Sequence, residues 1–276
     1  MKRHFLILTF LFISLVSFAQ SRPHTATDNV IVLEEPFTMP GLDRTRTVRL
    51  YLPPGYSDSD KQYPVLYMHD GQNLFDYATS YVGEWKVDET LNQLADSIGF
   101  EMIVVGIDNG QGLRMNELAP FDNPRVEKVE GDLYMKFIVE TIKPYINKNY
   151  RTLPDRKNTA LMGSSMGGLI SHYGIYQYPE VFGKAGIFSP SYWINWQAVK
   201  SFTQDNPLPK DAKLYFCVGD KEGMMVGSMN AMVEFIKNQE HNEENLTSFV
   251  VPGGEHNEAQ WEVEFKKAVL WLFGAE

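Results

Sequence analysis

The sequence predicts a three-layer α/β protein in which a mostly parallel central sheet is flanked by helices. Two observations support this fold class. Short runs of consecutive apolar residues recur along the chain, which is typical of strands buried on both faces. Segments with helical spacing separate most of these runs, as in parallel sheets built from strand–helix–strand units. We expect strands at 30–33, 47–52, 65–68, 102–107, 159–162, 185–188, 214–218 and 248–251, and helices at 87–95, 133–146, 166–176, 228–236 and 258–272.

The start of the chain has the pattern of a secretory signal peptide. Lys2 and Arg3 precede an apolar run at residues 5–18, and the small residues Ser17 and Ala19 precede a cleavage site. A membrane anchor is the weaker interpretation, because the run is shorter than the roughly 20 residues that a spanning helix needs. We therefore expect cleavage after Ala19 and a secreted protein.

The rest of the chain is expected to form one domain. With residues 1–19 as the signal peptide, residues 20–276 have a length that suits a single α/β domain, and no repeat or linker divides them. Cys217 is the only cysteine, so no disulfide can form within the chain. For a secreted protein this is typical of a bacterial periplasm. The formal net charge of −10 argues against nucleic acid or an anionic membrane as a partner.

A Gly-x-Ser-x-Gly pentapeptide at residues 163–167 contains a candidate nucleophile. It follows a predicted strand and begins a predicted helix, with Gly168 directly after it. This is the context of a nucleophile elbow, in which a serine at a sharp strand-to-helix turn has strained backbone angles and small neighbours. A phosphate-binding turn is the alternative, but the lysine of a Walker motif is missing. We assign Ser165 as the nucleophile, because Ser164 would have methionine at both flanking positions.

His256 is the candidate general base. In proteins with a nucleophile elbow, the acid and then the histidine follow the serine along the chain. His256 lies in a loop with two glycines, between the last predicted strand and the last predicted helix, from which it could reach the serine. The other histidines precede the serine, lie inside the next helix or lie in a polar turn: His4, His24, His69, His172 and His241.

The acid is expected after the strand at 214–218. Gly219 ends this strand, and Asp220 and Glu222 follow closely. Either carboxylate could orient the imidazole and stabilise its cation. The spacing of the residues leaves both candidates open.

Further motifs resemble a known family, the esterase branch of the α/β-hydrolases that includes feruloyl esterases, esterase D, siderophore esterases and mycolyltransferases. The matching segments cover nearly the whole chain after the signal peptide: residues 63–72, 83–85, 106–109, 163–168, 189–193 and 254–256. The resemblance implies an α/β-hydrolase fold. It implies Glu222, three residues after the strand-end glycine, as the acid ahead of Asp220, although the family often has Asp there. It also implies an oxyanion hole formed by the backbone N–H groups of Met166 and Gln72.

Together with this resemblance, the residues imply a serine esterase that needs no metal or organic cofactor. The expected substrate is a small-molecule or polysaccharide ester, first a feruloyl or acetyl ester of a plant polysaccharide. The alternatives are a catecholate siderophore trilactone, acyl transfer, and a non-catalytic carbohydrate-binding protein on a hydrolase fold. The candidate substrate contacts, which would also suit the core, are Trp85, Asn109, Tyr192 and Trp193. Arg114 and Glu117 are expected to bind polar substrate or to pair with each other.

Overall fold

The computed structural model describes residues 22–274, and the signal-peptide prediction for residues 1–19 lies outside them. The strands are β1 (Val30–Val32), β2 (Phe37–Met39), β3 (Arg44–Arg46), β4 (Val48–Tyr51), β5 (Val65–His69), β6 (Ile103–Ile107), β7 (Thr159–Ser164), β8 (Lys184–Phe188), β9 (Lys213–Gly219) and β10 (Leu246–Val251). The helices are α1 (Val87–Ile98), α2 (Arg114–Glu117), α3 (Gly131–Phe137), α4 (Lys143–Asn149), α5 (Met166–Gln177), α6 (Trp196–Asp205), α7 (Met224–Lys237) and α8 (Glu258–Phe273).

Eight of these strands form one sheet in the order β1-β4-β6-β5-β7-β8-β9-β10. The pairs β1/β4 and β4/β6 are antiparallel, and the other pairs from β6 to β10 are parallel. Strands β2 and β3 form a separate antiparallel pair. The fold class predicted from the sequence, a mostly parallel sheet flanked by helices in an α/β-hydrolase fold, is confirmed.

Each face of the sheet packs against its own layer of helices. Successive side chains of a strand point to opposite faces, and along β5 Val65 and Tyr67 belong to one apolar core whereas Leu66 and Met68 belong to the other. Helices α3, α4, α5 and α7 contribute to the first core. Helices α1 and α8 contribute to the second. Burial on both faces explains why these strands are continuous apolar runs.

The topology brings the chemically interesting loops to one edge of the sheet. Strands β5 to β10 in the parallel part all end at the same edge, and ligands of such sheets bind outside the carboxyl ends of the strands. The loops after β5, β7, β9 and β10 carry Gln72, Ser165, Glu222 and His256 respectively. Residues far apart in the sequence therefore meet at this edge.

The predicted helix at 133–146 is interrupted. It consists of α3, a π-helical segment at Ile138–Ile142, and α4, with Pro144 in the first turn of α4. Proline has no N–H for the bond to the residue four positions earlier, so the wider turn lies just before it. The sequence did not predict α6 or the β2–β3 pair.

None of the helices within residues 22–274 has the length and apolar character that crossing a membrane requires.

Candidate active site

Ser165 occupies a sharp turn between β7 and α5. Its backbone angles are φ 59° and ψ −118°, which residues other than glycine rarely adopt. The Ser165 N–H donates to the carbonyl oxygen of Phe188 at 2.9 Å, which joins the turn to the end of β8. A Cβ on Gly163 would lie 2.9 Å from backbone atoms of Gly167, and one on Gly168 would lie 2.5 Å from the Phe188 oxygen. Glycine at positions 163 and 168 therefore makes room for the turn.

His256 and Glu222 form a hydrogen-bonded pair. The distance from Nδ1 of His256 to Oε2 of Glu222 is 2.6 Å, whereas Asp220, the other candidate, is exposed. The two loops are also joined through the backbone, because the Lys221 N–H donates to the carbonyl oxygen of Gly254 at 3.1 Å. The carboxylate in contact with the imidazole is thus the one that the family resemblance implied.

The Glu222 side chain is fully buried and surrounded by donors. Its Oε1 accepts from the Ser189 hydroxyl at 2.7 Å, from the Gly219 N–H at 2.7 Å and from the Gln260 amide at 3.1 Å. Burial by itself raises the pKa of Glu222, but the hydrogen bonds from His256, Gly219 and Ser189 outweigh it and hold this pKa below its ordinary value. An ionised carboxylate in this position favours the imidazole tautomer with a proton on Nδ1, which leaves Nε2 as an acceptor.

Ser165 and His256 line one cavity of about 930 Å³. The hydroxyl oxygen of Ser165 lies 3.3 Å from that of Ser191, and no hydrogen bond joins Ser165 to His256 within the described residues. Catalytic hydrogen bonds are often long before a substrate binds. The edge of Trp261 packs against the His256 ring with centroids 5.0 Å apart, and its Nε1 donates to Ser189 at 3.1 Å. Trp261 therefore supports both the imidazole and a donor to its carboxylate partner.

Gln72 and Met166 lie on the two elements that flank the serine. Met166 is the first residue of α5, and the first N–H groups of a helix have no partner inside it. Gln72 lies in a single 3-10 turn after β5 and lines the cavity, and its side-chain Oε1 accepts from the backbone N–H of Asn109 at 3.0 Å. An oxyanion hole requires two such backbone donors near the nucleophile.

Asp70 and Arg114 form a bidentate ion pair in the wall of the cavity. The Arg114 nitrogens lie 2.6 and 2.8 Å from the two carboxylate oxygens, and the Asn109 amide lies 2.5 Å from one of them. Burial opposes ionisation, yet Arg114 and Asn109 hold the pKa of Asp70 below its ordinary value. The expected pairing of Arg114 with Glu117 is wrong, because Glu117 is buried elsewhere against Arg44, at 2.8 Å.

The four candidate substrate contacts lie in different parts of the structure. Trp85 and Asn109 line the cavity, although Trp85 is only 3% exposed and packs mainly in the core. The prediction for Tyr192 is wrong, because its side chain is fully buried and its hydroxyl lies 2.6 Å from Nδ1 of His172. Trp193 is partly exposed beside a second, smaller cavity and does not line the first.

Many residues of the cavity wall were not predicted as site residues, among them Arg22, His69, Tyr81 and Glu258. His69 is buried, which lowers its pKa to about 4 and keeps the imidazole neutral. Its place next to Asp70 in a recognised motif was an available signal. Tyr81 is 82% exposed. The only sequence signal for it was the apolar pair that it forms with Val82, between the turn residues Ser80 and Gly83. Arg22 and Glu258 have no local signal, because only the fold brings them to the cavity.

Among residues 22–274, the acidic side chains close enough to share a cation are Glu84, Asp88 and Glu89, and none of them lines this cavity. The chemistry that the cavity offers comes from a hydroxyl, an imidazole and a buried carboxylate. This arrangement at the carboxyl edge of the sheet is compatible with the serine hydrolases of the α/β-hydrolase fold.

The comparison with protein families agrees with this class. The family described as "Putative esterase" matches residues 40–272, and the chain belongs to this family. It is therefore a carboxylic ester hydrolase.

Two relatives are similar over most of the chain. The uncharacterized protein YbbA of Bacillus subtilis (strain 168) is 26% identical over 243 residues, which cover 83% of this chain and 93% of YbbA. An endo-1,4-beta-xylanase/feruloyl esterase of Xylanibacter ruminicola is 28% identical over 239 residues, 83% of this chain but only 30% of that longer protein.

Solved structures share the fold at low identity. The BES protein from Bacillus cereus has a TM-score of 0.72 at 18% identity and covers 98% of this chain and 99% of its own. Enterochelin esterase from Shigella flexneri has a TM-score of 0.73 at 16% identity. The alignment covers 91% of this chain and 60% of the enterochelin esterase chain. The ferulic acid esterase AmCE1/Fae1A from Anaeromyces mucronatus has a TM-score of 0.67 at 22% identity. The alignment covers 92% of this chain and 95% of the ferulic acid esterase chain. The likeness extends over almost the whole chain.

Proposed function

We propose that this protein is a serine esterase in which Ser165 is the nucleophile, His256 the general base and Glu222 the acid. The observation that carries the proposal is the 2.6 Å contact of His256 with a buried, ionised Glu222 in the loop next to the cavity that contains Ser165. The strained turn of Ser165 supports it, since such turns are concentrated at functional sites.

The reaction proceeds in two halves. Nε2 of His256 takes the hydroxyl proton of Ser165 as its oxygen attacks the ester carbonyl, and Glu222 stabilises the resulting imidazolium. The tetrahedral intermediate collapses, the imidazolium gives its proton to the leaving alcohol, and an acyl-serine remains. Water, deprotonated by the same imidazole, then attacks the acyl group, and the serine regains its proton as the acid leaves.

The backbone N–H groups of Gln72 and Met166 bind the carbonyl oxygen as it becomes negative. Losing one such donor typically costs about 3 kcal/mol of barrier. The positive end of α5, which begins at Met166, lies behind the same oxygen and favours the charge. No step requires a metal or an organic cofactor.

The proposed substrates are feruloyl or acetyl esters of polysaccharides. The cavity is within the range of small-molecule sites, and the exposed ring of Tyr81 on its wall can stack on an aromatic acid or a sugar. The name of the X. ruminicola relative includes feruloyl esterase activity, which gives this substrate class further support.

A siderophore trilactone is the alternative substrate, and the charge of the cavity disfavours it. Arg22 and Arg114 line the wall, but Arg22 donates to the backbone oxygens of residues 80 and 81, and Arg114 is neutralised by Asp70. Glu258 adds a further acidic side chain. The charged side chains of the lining, two arginines and two carboxylates, therefore balance, and a cavity without an excess of positive charge is a poor site for an anionic iron complex.

The first test is hydrolysis of p-nitrophenyl acetate by wild type and by Ser165→Ala, with Ser164→Ala as the matched control. We expect activity in wild type and in Ser164→Ala, and none above background in Ser165→Ala. A Ser165→Ala variant that keeps its activity would refute the assignment. Rates on methyl ferulate, acetylated xylan and a catecholate trilactone then rank the substrates, and added alcohols reveal any acyl transfer.

We also propose that the protein acts after secretion, in a bacterial periplasm. The basic start, the apolar run and the site after Ala19 support export. The free thiol of Cys217 is fully buried, which suits an oxidising compartment. N-terminal sequencing of protein from the periplasmic fraction should begin at Gln20, and an intact Met1 in the cytoplasmic fraction alone would contradict export.

A further inference from the structure

Three carboxylates lie close together at the start of α1, near Trp85 in the sequence. Glu84 precedes α1, and Asp88 and Glu89 lie in its first turn. One carboxylate oxygen from each of the three residues lies within 4.8 Å of the oxygens of the other two. Asp88 is completely buried and Glu84 is only 6% exposed. Carboxylates of like charge repel each other in such a place unless something positive lies between them.

No ion pair of the described residues supplies this charge. No ion pair within residues 22–274 reaches any of the three carboxylates, and the nearby Lys86 binds Glu262 instead, at 3.1 Å. Two oxygens of the group are buried without any hydrogen-bond partner, Oδ1 of Asp88 and Oε2 of Glu89. Buried polar atoms of this kind are rare and call for a partner.

The two oxygens of Asp88 differ in their partners. The other oxygen of Asp88 is already used, because it accepts from the N–H of Thr27 at 2.8 Å and from its hydroxyl at 2.7 Å. The Asp88 and Glu89 carboxyl groups are neighbours, and a proton shared between them is the alternative to a cation. Oδ1 of Asp88 is thus a buried acceptor without a donor, and it is the oxygen of this residue that is left for a cation.

We propose that Glu84, Asp88 and Glu89 form a calcium-binding site. All the candidate ligands are carboxylate oxygens, which hard cations prefer. Two oxygens on one Ca²⁺, each 2.3–2.6 Å from it, can be up to about 5 Å apart, so three oxygens within 4.8 Å of one another are close enough to share the ion. Calcium also accepts irregular geometry and completes its shell with water, whereas Mg²⁺ demands a near-ideal octahedron.

The cation would hold the N-terminal arm, residues 22–29, against the body of the protein. The Thr25 hydroxyl donates to both oxygens of Glu84, at 3.0 and 2.9 Å, and Thr27 is bound to Asp88 as described. At the start of the same arm, Arg22 donates to the backbone oxygen of Ser80 at 2.6 Å, at the rim of the cavity. Calcium is therefore expected to stabilise the fold and the cavity rim, without contacting the reacting ester.

The experiment is thermal denaturation of the purified protein, freed of metal with EDTA and dialysed, over a series of CaCl₂ concentrations at constant ionic strength. Carboxylate sites of this kind outside cells bind with Kd of about 10⁻⁴–10⁻³ M. At 10 mM CaCl₂ we expect the Tm of wild type to rise by about 4 °C or more and to saturate. Isothermal titration with CaCl₂ should give the same affinity, and MgCl₂ should have a smaller effect.

Glu89→Gln is the test variant, because no hydrogen bond or ion pair joins Glu89 to the described part of the N-terminal arm, unlike Glu84 and Asp88. Asp96→Asn is the matched control, since it removes one exposed negative charge from the same helix. We expect the calcium shift in the Asp96→Asn variant and its loss in Glu89→Gln. The inactive Ser165→Ala variant should keep the shift, so the result is independent of the proposed catalytic activity.

Two results would overturn the proposal. One is a wild-type Tm that rises no more with CaCl₂ than with NaCl of the same ionic strength. If Glu89→Gln is then also more stable than wild type, a proton shared by Asp88 and Glu89 takes the place of the cation. The other is an equal calcium shift in wild type and Glu89→Gln, which would place the cation elsewhere.

Discussion

Replacing Glu222 with Gln tests how the carboxylate acts on the imidazole. Oε1 of Glu222 accepts three hydrogen bonds, from Ser189, Gly219 and Gln260, so the single oxygen of a glutamine is expected to take this position. Its NH₂ group then faces Nδ1 of His256 at the 2.6 Å contact. Nδ1 must become the acceptor, and the proton moves to Nε2. The imidazole can no longer take the serine proton.

The expected loss is large because the tautomer is wrong rather than merely less stabilised. An equivalent change in serine proteases lowers kcat by about 10⁴, which corresponds to a barrier increase of about 5.4 kcal/mol. We expect kcat on p-nitrophenyl acetate to fall by about this factor with little change in KM. Near-ultraviolet circular dichroism and Tm would show that the variant is folded. Asp220→Asn, at the exposed neighbour, is the matched control and should keep wild-type rates. A folded Glu222→Gln enzyme within about tenfold of wild type would refute this reasoning.

Three further changes test the turn, the buried histidine and the cavity wall. Gly168→Ala should abolish activity and lower Tm, because its Cβ would lie 2.5 Å from a β8 carbonyl oxygen. Gly167→Ala should be tolerated, because its Cβ would lie 3.4 Å from its nearest neighbour. A Gly167→Ala variant that is more damaged than Gly168→Ala would contradict this packing. The folded-state pKa of His69, about 4, lies below its ordinary 6.5, so its contribution to stability is present above pH 6.5 and is lost as the pH falls towards 4. In urea titrations, the free energy of unfolding should therefore fall between pH 7 and 5 by about 2 kcal/mol more in wild type than in His69→Gln, and equal pH dependences would contradict the low pKa. Tyr81→Ala should raise KM for methyl ferulate about 3–10-fold with little effect on p-nitrophenyl acetate, and equal effects on both substrates would exclude stacking.

The catalytic candidates could be predicted because each has a strong local signal. Ser165 lies between two glycines at the end of an apolar strand, and the structure shows why Gly163 cannot carry a side chain. Glu222 follows the buried strand β9 and His256 follows the edge strand β10, and parallel strands bring their following loops to one edge. Local spacing could not choose between Glu222 and Asp220, since the choice depends on which side chain turns inward to the donors of Ser189 and Gly219.

The walls of the cavity were predicted less well, because their residues are placed by tertiary packing. Tyr192 belongs to an aromatic motif that also occurs near active sites, but it turns into the core and binds His172. Arg114 was within reach of Glu117 in sequence, yet it binds Asp70, which lies on a different strand end. An exposed aromatic such as Tyr81 looks the same in the sequence as a buried one.

The end of β8 links the two halves of the candidate catalytic group. The carbonyl oxygen of Phe188 binds the N–H of Ser165, and the next residue, Ser189, donates its hydroxyl to Glu222 while accepting from Trp261. Ser189 is itself fully buried with a positive φ of 44°, so its position is determined by the surrounding structure rather than by its own preference. The serine turn and the acid are thus attached to adjacent residues of one rigid strand. Because of this attachment, the distance from nucleophile to acid is set by the end of β8, whereas the imidazole lies on a separate loop and is held by Glu222 and Trp261.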